Sequence, residues 1–207
     1  VYAHLDGFNE TLELFKDKLQ EECACFSFDH TFVENEYPVK KGDVIGYTGD
    51  SGSLSGPHIH FEIRNKKGEP FNPLLTNYFV KDNIPPDPKK IILNNLNKDT
   101  FINGLPLTQE FDLEKISDNE YVVSDIISVI GEIGISAEIY DKIDGQPFNF
   151  GLYKIKLEID SATVYHAEYN HINFNEGYKV FCERDFGKYH LERKKVYNLY
   201  KKNNNKP

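Results

Sequence analysis

Methionine and tryptophan are both absent from this chain of 207 residues, so its 14% aromatic content rests on 13 Tyr and 15 Phe. The lack of any methionine, together with an opening Val1-Tyr2-Ala3 that already reads as strand, predicts that the chain begins downstream of a natural start. Cysteine is scarce. Cys23, Cys25 and Cys182 are odd in number and too few for a disulfide framework, and Cys23-Ala24-Cys25 lacks the two-residue spacing of common zinc and redox motifs, so all three read as ordinary. No apolar run approaches the roughly 18 residues that suggest a membrane span, and no charged start with an apolar middle and a small-residue cleavage site marks a signal peptide. Positive charge is also short: 24 Lys and Arg face 33 Asp and Glu, a net charge of −9. That balance argues against a nucleic-acid partner, whose binding depends on basic side chains neutralising phosphates. The lysine-rich stretch from Lys188 to Lys206 reads as a solvated face and tail.

What is present is core material, 39% hydrophobic, enough for one large or two ordinary domains. The stretch that carries chemistry is Gly56-Pro57-His58-Ile59-His60-Phe61-Glu62-Ile63-Arg64. Its period of two predicts a strand with His58, His60, Glu62 and Arg64 on one face and Ile59, Phe61 and Ile63 turned into a core. Two imidazoles about 7 Å apart on that face are spaced to hold a divalent metal and its water between them, since neutral imidazole is the commonest metal ligand. Ahead of it, Val39 to Gly49 reads as turn, short strand and turn. The following Asp50-Ser51-Gly52-Ser53-Leu54-Ser55-Gly56-Pro57 is a glycine-rich loop that lets a ligand or backbone approach closely.

With Tyr2-Ala3-His4-Leu5 at the start and Asn72-Pro73-Leu74 at the end, these segments resemble the lysostaphin-type (LytM-type) zinc endopeptidases of peptidoglycan, over roughly the first 80 residues. Each motif alone is weak, and the combination is specific. The resemblance implies that His60 is a zinc ligand and that His4 and His58 are catalytic histidines beside the reactive water. It assigns the two other ligands, a His and an Asp, to an H-x-x-x-D segment that would lie before Val1. The implied cofactor is Zn2+, the substrate a peptidoglycan peptide, and the location the bacterial cell envelope, periplasmic or extracellular. An alternative from another class is a non-catalytic lysostaphin-like scaffold that binds or activates a different cell-wall hydrolase.

Asn9 is a predicted N-cap for a helix over residues 10–22, with Leu12, Phe15 and Leu19 at helical spacing. Relative to the minimal family core this helix is an insertion. His30 reads as a surface residue. Further on, Ile84-Pro85-Pro86-Asp87-Pro88-Lys89-Lys90 holds three prolines in seven residues, which argues against helix or central strand and predicts a stiff linker. The expected organisation is therefore a partial, mainly antiparallel β peptidase module over 1–83, a linker over 84–90 and an accessory domain over 91–207.

In that accessory domain Ile133, Ile135, Ala137 and Ile139 alternate with polar or small residues, as do Tyr153, Ile155, Leu157 and Ile159. Half-buried antiparallel strands with turns at Asp144-Gly145, Asp160-Ser161 and Asn170-His171 predict an immunoglobulin-like β-sandwich, although no Cys-Trp-Cys signature of a true immunoglobulin domain exists here. Such a sandwich is a candidate surface for a glycan or a cell-envelope protein. Residues 184–202 are predicted helical, with a frayed Asn203-Asn204-Asn205 end. Asp185-Phe186-Gly187 matches the kinase magnesium triplet in letters only, and the pair His166 and His171 lacks a carboxylate or cysteine to complete a metal set.

Overall fold

A computed structural model describes residues 1–52 and 56–201. Part of the glycine-rich loop (53–55) and the Asn203–Asn205 run therefore lie outside the described residues. The architecture is mainly β with antiparallel pairing, as predicted. It divides into two compact units, Val1–Arg64 and Asn65–Pro207.

In the first unit the strands are β1 (Tyr2–Ala3), β2 (Leu5–Phe8), β3 (Gly46–Thr48), β4 (His60–Phe61) and β5 (Ile63–Arg64), with helix α1 (Glu10–Cys23) after β2. Helix α1 begins where the cap is predicted: the Asn9 side-chain oxygen accepts from the Leu12 N–H at 3.0 Å. Glu10 and Glu13 in its first turn face the positive end of the helix dipole. The same asparagine ties the helix to the following segment, donating to the Val44 carbonyl at 2.6 Å and accepting from the Tyr37 hydroxyl at 2.9 Å. The helix ends at Ala24 in a left-handed conformation, φ 50°, and this reversal brings Cys23 and Cys25 to a Cα separation of 5.2 Å, where they form a disulfide. The reading of these cysteines as ordinary is thus corrected. A spacing of one intervening residue does not reveal the left-handed cap that closes it.

The second unit begins with β6 (Pro70–Phe71), followed by β7 (Asp87–Asn95), β8 (Phe101–Ile102), β9 (Gln109–Asp112), β10 (Glu114–Ser117) and β11 (Glu120–Val122). Then come β12 (Val129–Ile130), β13 (Ile133–Tyr140), β14 (Lys154–Ile159), β15 (Ala162–Glu168), short helices α2 (Val180–Glu183) and α3 (Phe186–Glu192), and β16 (Val196–Asn198). Four strands form one sheet in the order β16-β13-β7-β9, and β14 pairs with β15 as a hairpin. The hairpin turns at Asp160 and Ser161, both at positive φ, the geometry that matches strand twist.

Ala137, Leu152, Ile155, Tyr197 and Leu199 form the core cluster, with Ile135, Ile139, Leu157 and Tyr165 packed against it, so the hairpin and the sheet share one apolar interior. β13 departs from the half-buried expectation. Ser136 and Glu138 on its polar phase are buried, and Ser136 is satisfied by donating to Asn198 at 2.9 Å while accepting from Asn94 at 2.8 Å. A central strand flanked on both edges buries both phases when each polar group finds a partner.

Two other expectations are corrected. Pro88 lies within β7, a strand paired on both edges, where the prolines argued against one. The β13 pairing shifts register between Glu138 and Ile139 opposite this point, and β9 pairs only from Lys90 onward, so the missing N–H falls at a bulge beyond the end of one neighbour. Residues 184–202 are not one helix: α3 stops at Arg193, at φ 58°, and Val196 to Asn198 enter the sheet. Asp185 turns out to be the N-cap of α3, its carboxylate accepting from the Lys188 N–H at 2.9 Å.

Candidate active site

The three histidines singled out in the first unit come together. The His4 ring lies 4.8 Å from that of His58 and 5.6 Å from that of His60, centroid to centroid. Pairing of β1 with β4 sets this arrangement, with Tyr2 opposite Phe61 and Ala3 opposite His60. Between β1 and β2 the chain bends at His4, whose φ of 61° is rare for a residue with a Cβ and costs on the order of 1–3 kcal/mol. The Gly49 N–H donates to the His4 carbonyl at 2.8 Å, and the Gly49 carbonyl accepts from the His58 N–H at 3.0 Å, so one residue fixes both histidine backbones. Only glycine fits there, because a Cβ would stand 2.6 Å from Asp6.

Each imidazole is oriented by an acceptor. The Nδ1 of His4 is 2.5 Å from the Ser51 carbonyl oxygen and the Nδ1 of His58 is 2.8 Å from that of Gly56. A carbonyl only accepts, so both rings carry their proton on Nδ1 and present Nε2 as the basic nitrogen. His60 is turned the other way. Its Nε2 donates to Glu62 at 2.6 Å, which leaves the Nδ1 lone pair free of that bond. Arg64 donates to the second Glu62 oxygen at 2.6 Å. That guanidinium is the main reason the Glu62 carboxyl is held below its usual range; partial burial opposes the shift and His60 adds to it. A carboxylate holding the far N–H of an imidazole is the arrangement that orients metal-binding histidines.

The donor chemistry at His60 therefore suits a divalent metal, whereas among the described residues no group of three His, Cys, Asp or Glu side chains is placed to hold one. The apolar phase of the histidine strand is not a core: Ile59 is 44% exposed and Phe61 and Ile63 are only half-buried, Phe61 packing on Tyr2 at 5.4 Å. β4 and β5 are two residues each, interrupted at Glu62, and such short pairs cover little surface. His30 stays apart from the cluster, ringed by Phe15 and Phe32 at 4.9 Å each and 3.3 Å from a Glu36 oxygen. In the second unit His166 faces Glu168 at 3.5 Å. The Ser51 and Gly56 carbonyls are hydrogen-bond partners of the His4 and His58 rings that no sequence motif announces, because any residue supplies a carbonyl.

Comparison with known proteins gives the segment a relationship. The model of Peptidase family M23 matches residues 20–73, which includes His58 and His60 and leaves His4 outside. Two curated relatives named DD-carboxypeptidase/endopeptidase Mpg match over 43 residues: that of Neisseria meningitidis serogroup B strain MC58 at 44% identity and that of Neisseria gonorrhoeae at 42%. Each match takes in 21% of this chain and 10% of the relative, so the likeness spans about a tenth of the relatives' length. No solved structure matches.

Proposed function

We propose that this chain, whose residues 20–73 match the model of Peptidase family M23, is part of a zinc-dependent endopeptidase that hydrolyses peptide bonds in peptidoglycan cross-links or stem peptides. The proposed setting is the bacterial cell envelope, periplasmic or extracellular. For the described residues, no helix is long and apolar enough to cross a membrane. The observation that carries the reading is the opposed orientation of three neighbouring imidazoles: His4 and His58 offer Nε2, and His60 keeps Nδ1 free.

In this reading His60 holds the metal, supported by Glu62 and Arg64. The resemblance assigns the remaining His and Asp to an H-x-x-x-D segment that would lie before Val1. Zinc would supply an acidified water and polarise the scissile carbonyl. The chain's own residues do the rest. Nε2 of His58 or His4 takes a proton, and the resulting imidazolium is stabilised by its Nδ1–H bond to a backbone carbonyl. The protonated ring then gives that proton to the departing amine, while the other ring, with Nε2 unprotonated, accepts a hydrogen bond that orients the attacking water.

A non-catalytic scaffold is the competing reading, favoured by the incomplete donor set among the described residues. Zinc analysis and cleavage of a peptidoglycan peptide, made on a protein that carries an H-x-x-x-D segment before Val1, separate the two. The peptidase reading expects His60→Ala to lose zinc and turnover, and His58→Ala to keep zinc and lose turnover. Equal zinc loss in both variants contradicts the assignment, and a zinc-free wild type without turnover supports the scaffold.

A further inference from the structure

A cavity in the Asn65–Pro207 unit has a composition that the peptidase reading does not use. Val180, Phe181, Arg184, Tyr189, Lys194 and Lys195 line about 220 Å³ beside α2, α3 and the approach to β16. Three of these six are cationic. The nearby carboxylates are already engaged: Glu192 by Lys188 at 3.2 Å and Lys194 at 2.8 Å, Asp185 by the Lys188 N–H, and Glu183 by the Tyr169 hydroxyl.

Arg184 and Lys195 form no ion pair among the described residues, and Arg184 Nε is buried with no hydrogen-bond partner. An unsatisfied buried N–H on a charged group costs enough to call for an explanation. The Tyr197 ring, 3.5 Å below the guanidinium, offsets part of its charge but accepts nothing in the guanidinium plane. Burial, and then the Arg184 charge, also hold the Lys195 ammonium below its ordinary pKa, as expected of two cations without a counter-ion.

We propose that this cavity binds a small carboxylate bearing a short aliphatic arm, the chemistry of a peptide C terminus. The planar guanidinium edge fits a carboxylate, with Lys195 as second cation, while Val180 and Phe181 form an apolar wall for the arm. The volume lies below the roughly 300–1,000 Å³ of drug-sized sites, which limits the occupant to a residue-sized fragment. Inorganic phosphate shares the charge but brings no apolar face to that wall.

The test is an NMR titration of the whole chain at constant ionic strength with N-acetylalanine, its neutral amide and inorganic phosphate. Saturable shifts confined to residues 180–195 are expected with the acid, with binding at least about tenfold weaker for the amide and for phosphate. Arg184→Gln and Lys195→Gln are each expected to weaken the acid by a similar factor. Because Arg184 also packs on Tyr197, Lys195→Gln with an otherwise unchanged spectrum decides the matter should Arg184→Gln unfold. Equal affinity for acid and amide, tighter phosphate binding, absence of saturable shifts up to about 10 mM, or an unaffected Lys195→Gln variant would each overturn the proposal.

Discussion

The two units of this molecule are built on different terms. Every buried hydrophobic side chain among the described residues lies between Ile92 and Leu199. The Val1–Arg64 unit, which carries His4, His58 and His60, contributes none and is pinned instead by hydrogen bonds from Asn9 and Gly49 and by the Cys23–Cys25 disulfide. The contrast teaches that the histidines of the proposed site sit on a lightly buried, polar-anchored frame, while most of the buried apolar core belongs to the other unit. Binding and catalytic segments are commonly drawn from the low-stability end of a structure.

The sharpest way to separate chemistry from stability is His58→Ala in a protein active on peptidoglycan peptides. Loss of a general acid–base is expected to lower turnover by roughly 10²–10⁴-fold, with the melting profile of the whole protein nearly unchanged. A parallel collapse of the fold would erase the contrast. On the other side, Tyr197→Ala empties a fully buried site and removes the acceptor of the Leu152 N–H, so urea unfolding should show a loss of about 3–5 kcal/mol. Ser136→Ala removes one partner each from the half-buried Asn94 amide and the buried Asn198 amide and is expected to cost about 1–3 kcal/mol by the same measurement. Asn9→Ala, the corresponding polar anchor of the first unit, should cost about 1 kcal/mol, read as fraying of α1 by hydrogen exchange. If Asn9→Ala matched Tyr197→Ala, the asymmetry between the units would fail.

The smallest expected effect is electrostatic. Glu62 is held below the ordinary carboxyl value of 4.5, first by Arg64, so its contribution is present in full above that pH and fades as pH falls through the lower folded pKa. Carbon-13 NMR of the Glu62 carboxyl should follow this titration, and Arg64→Gln should move its midpoint upward. An unmoved midpoint would remove Arg64 as the cause.

How much of the fold and the site is legible in the sequence follows from which physics is local. The Asn9 cap and the α1 helix are readable because a cap and a period of 3.6 are written in neighbouring residues. The Asp160–Ser161 hairpin turn is readable for the same reason. The three histidines are legible as a set, by the period of the strand and by family resemblance. Their opposed orientation is not, since it depends on the Ser51 and Gly56 carbonyls and on where Glu62 lands. The central position of β7 and the strand at Val196 to Asn198 are hidden because both are decided by distant partners: the bulge opposite Pro88, and β13. Cys23 and Cys25 pair only because Ala24 adopts a left-handed turn, which no spacing rule specifies.

Neighbouring imidazoles on one short strand have different tasks in the proposed site, and their protonation sites report this directly. Long-range nitrogen–proton NMR of histidine-labelled chain, at a pH where the rings are neutral, assigns the protonated nitrogen of each. The expected result is protonated Nδ1 in His4 and His58 and protonated Nε2 in His60, with the His60 signal alone shifting in Glu62→Gln. A shared tautomer for His58 and His60, or a His60 ring indifferent to Glu62, would contradict that division of roles.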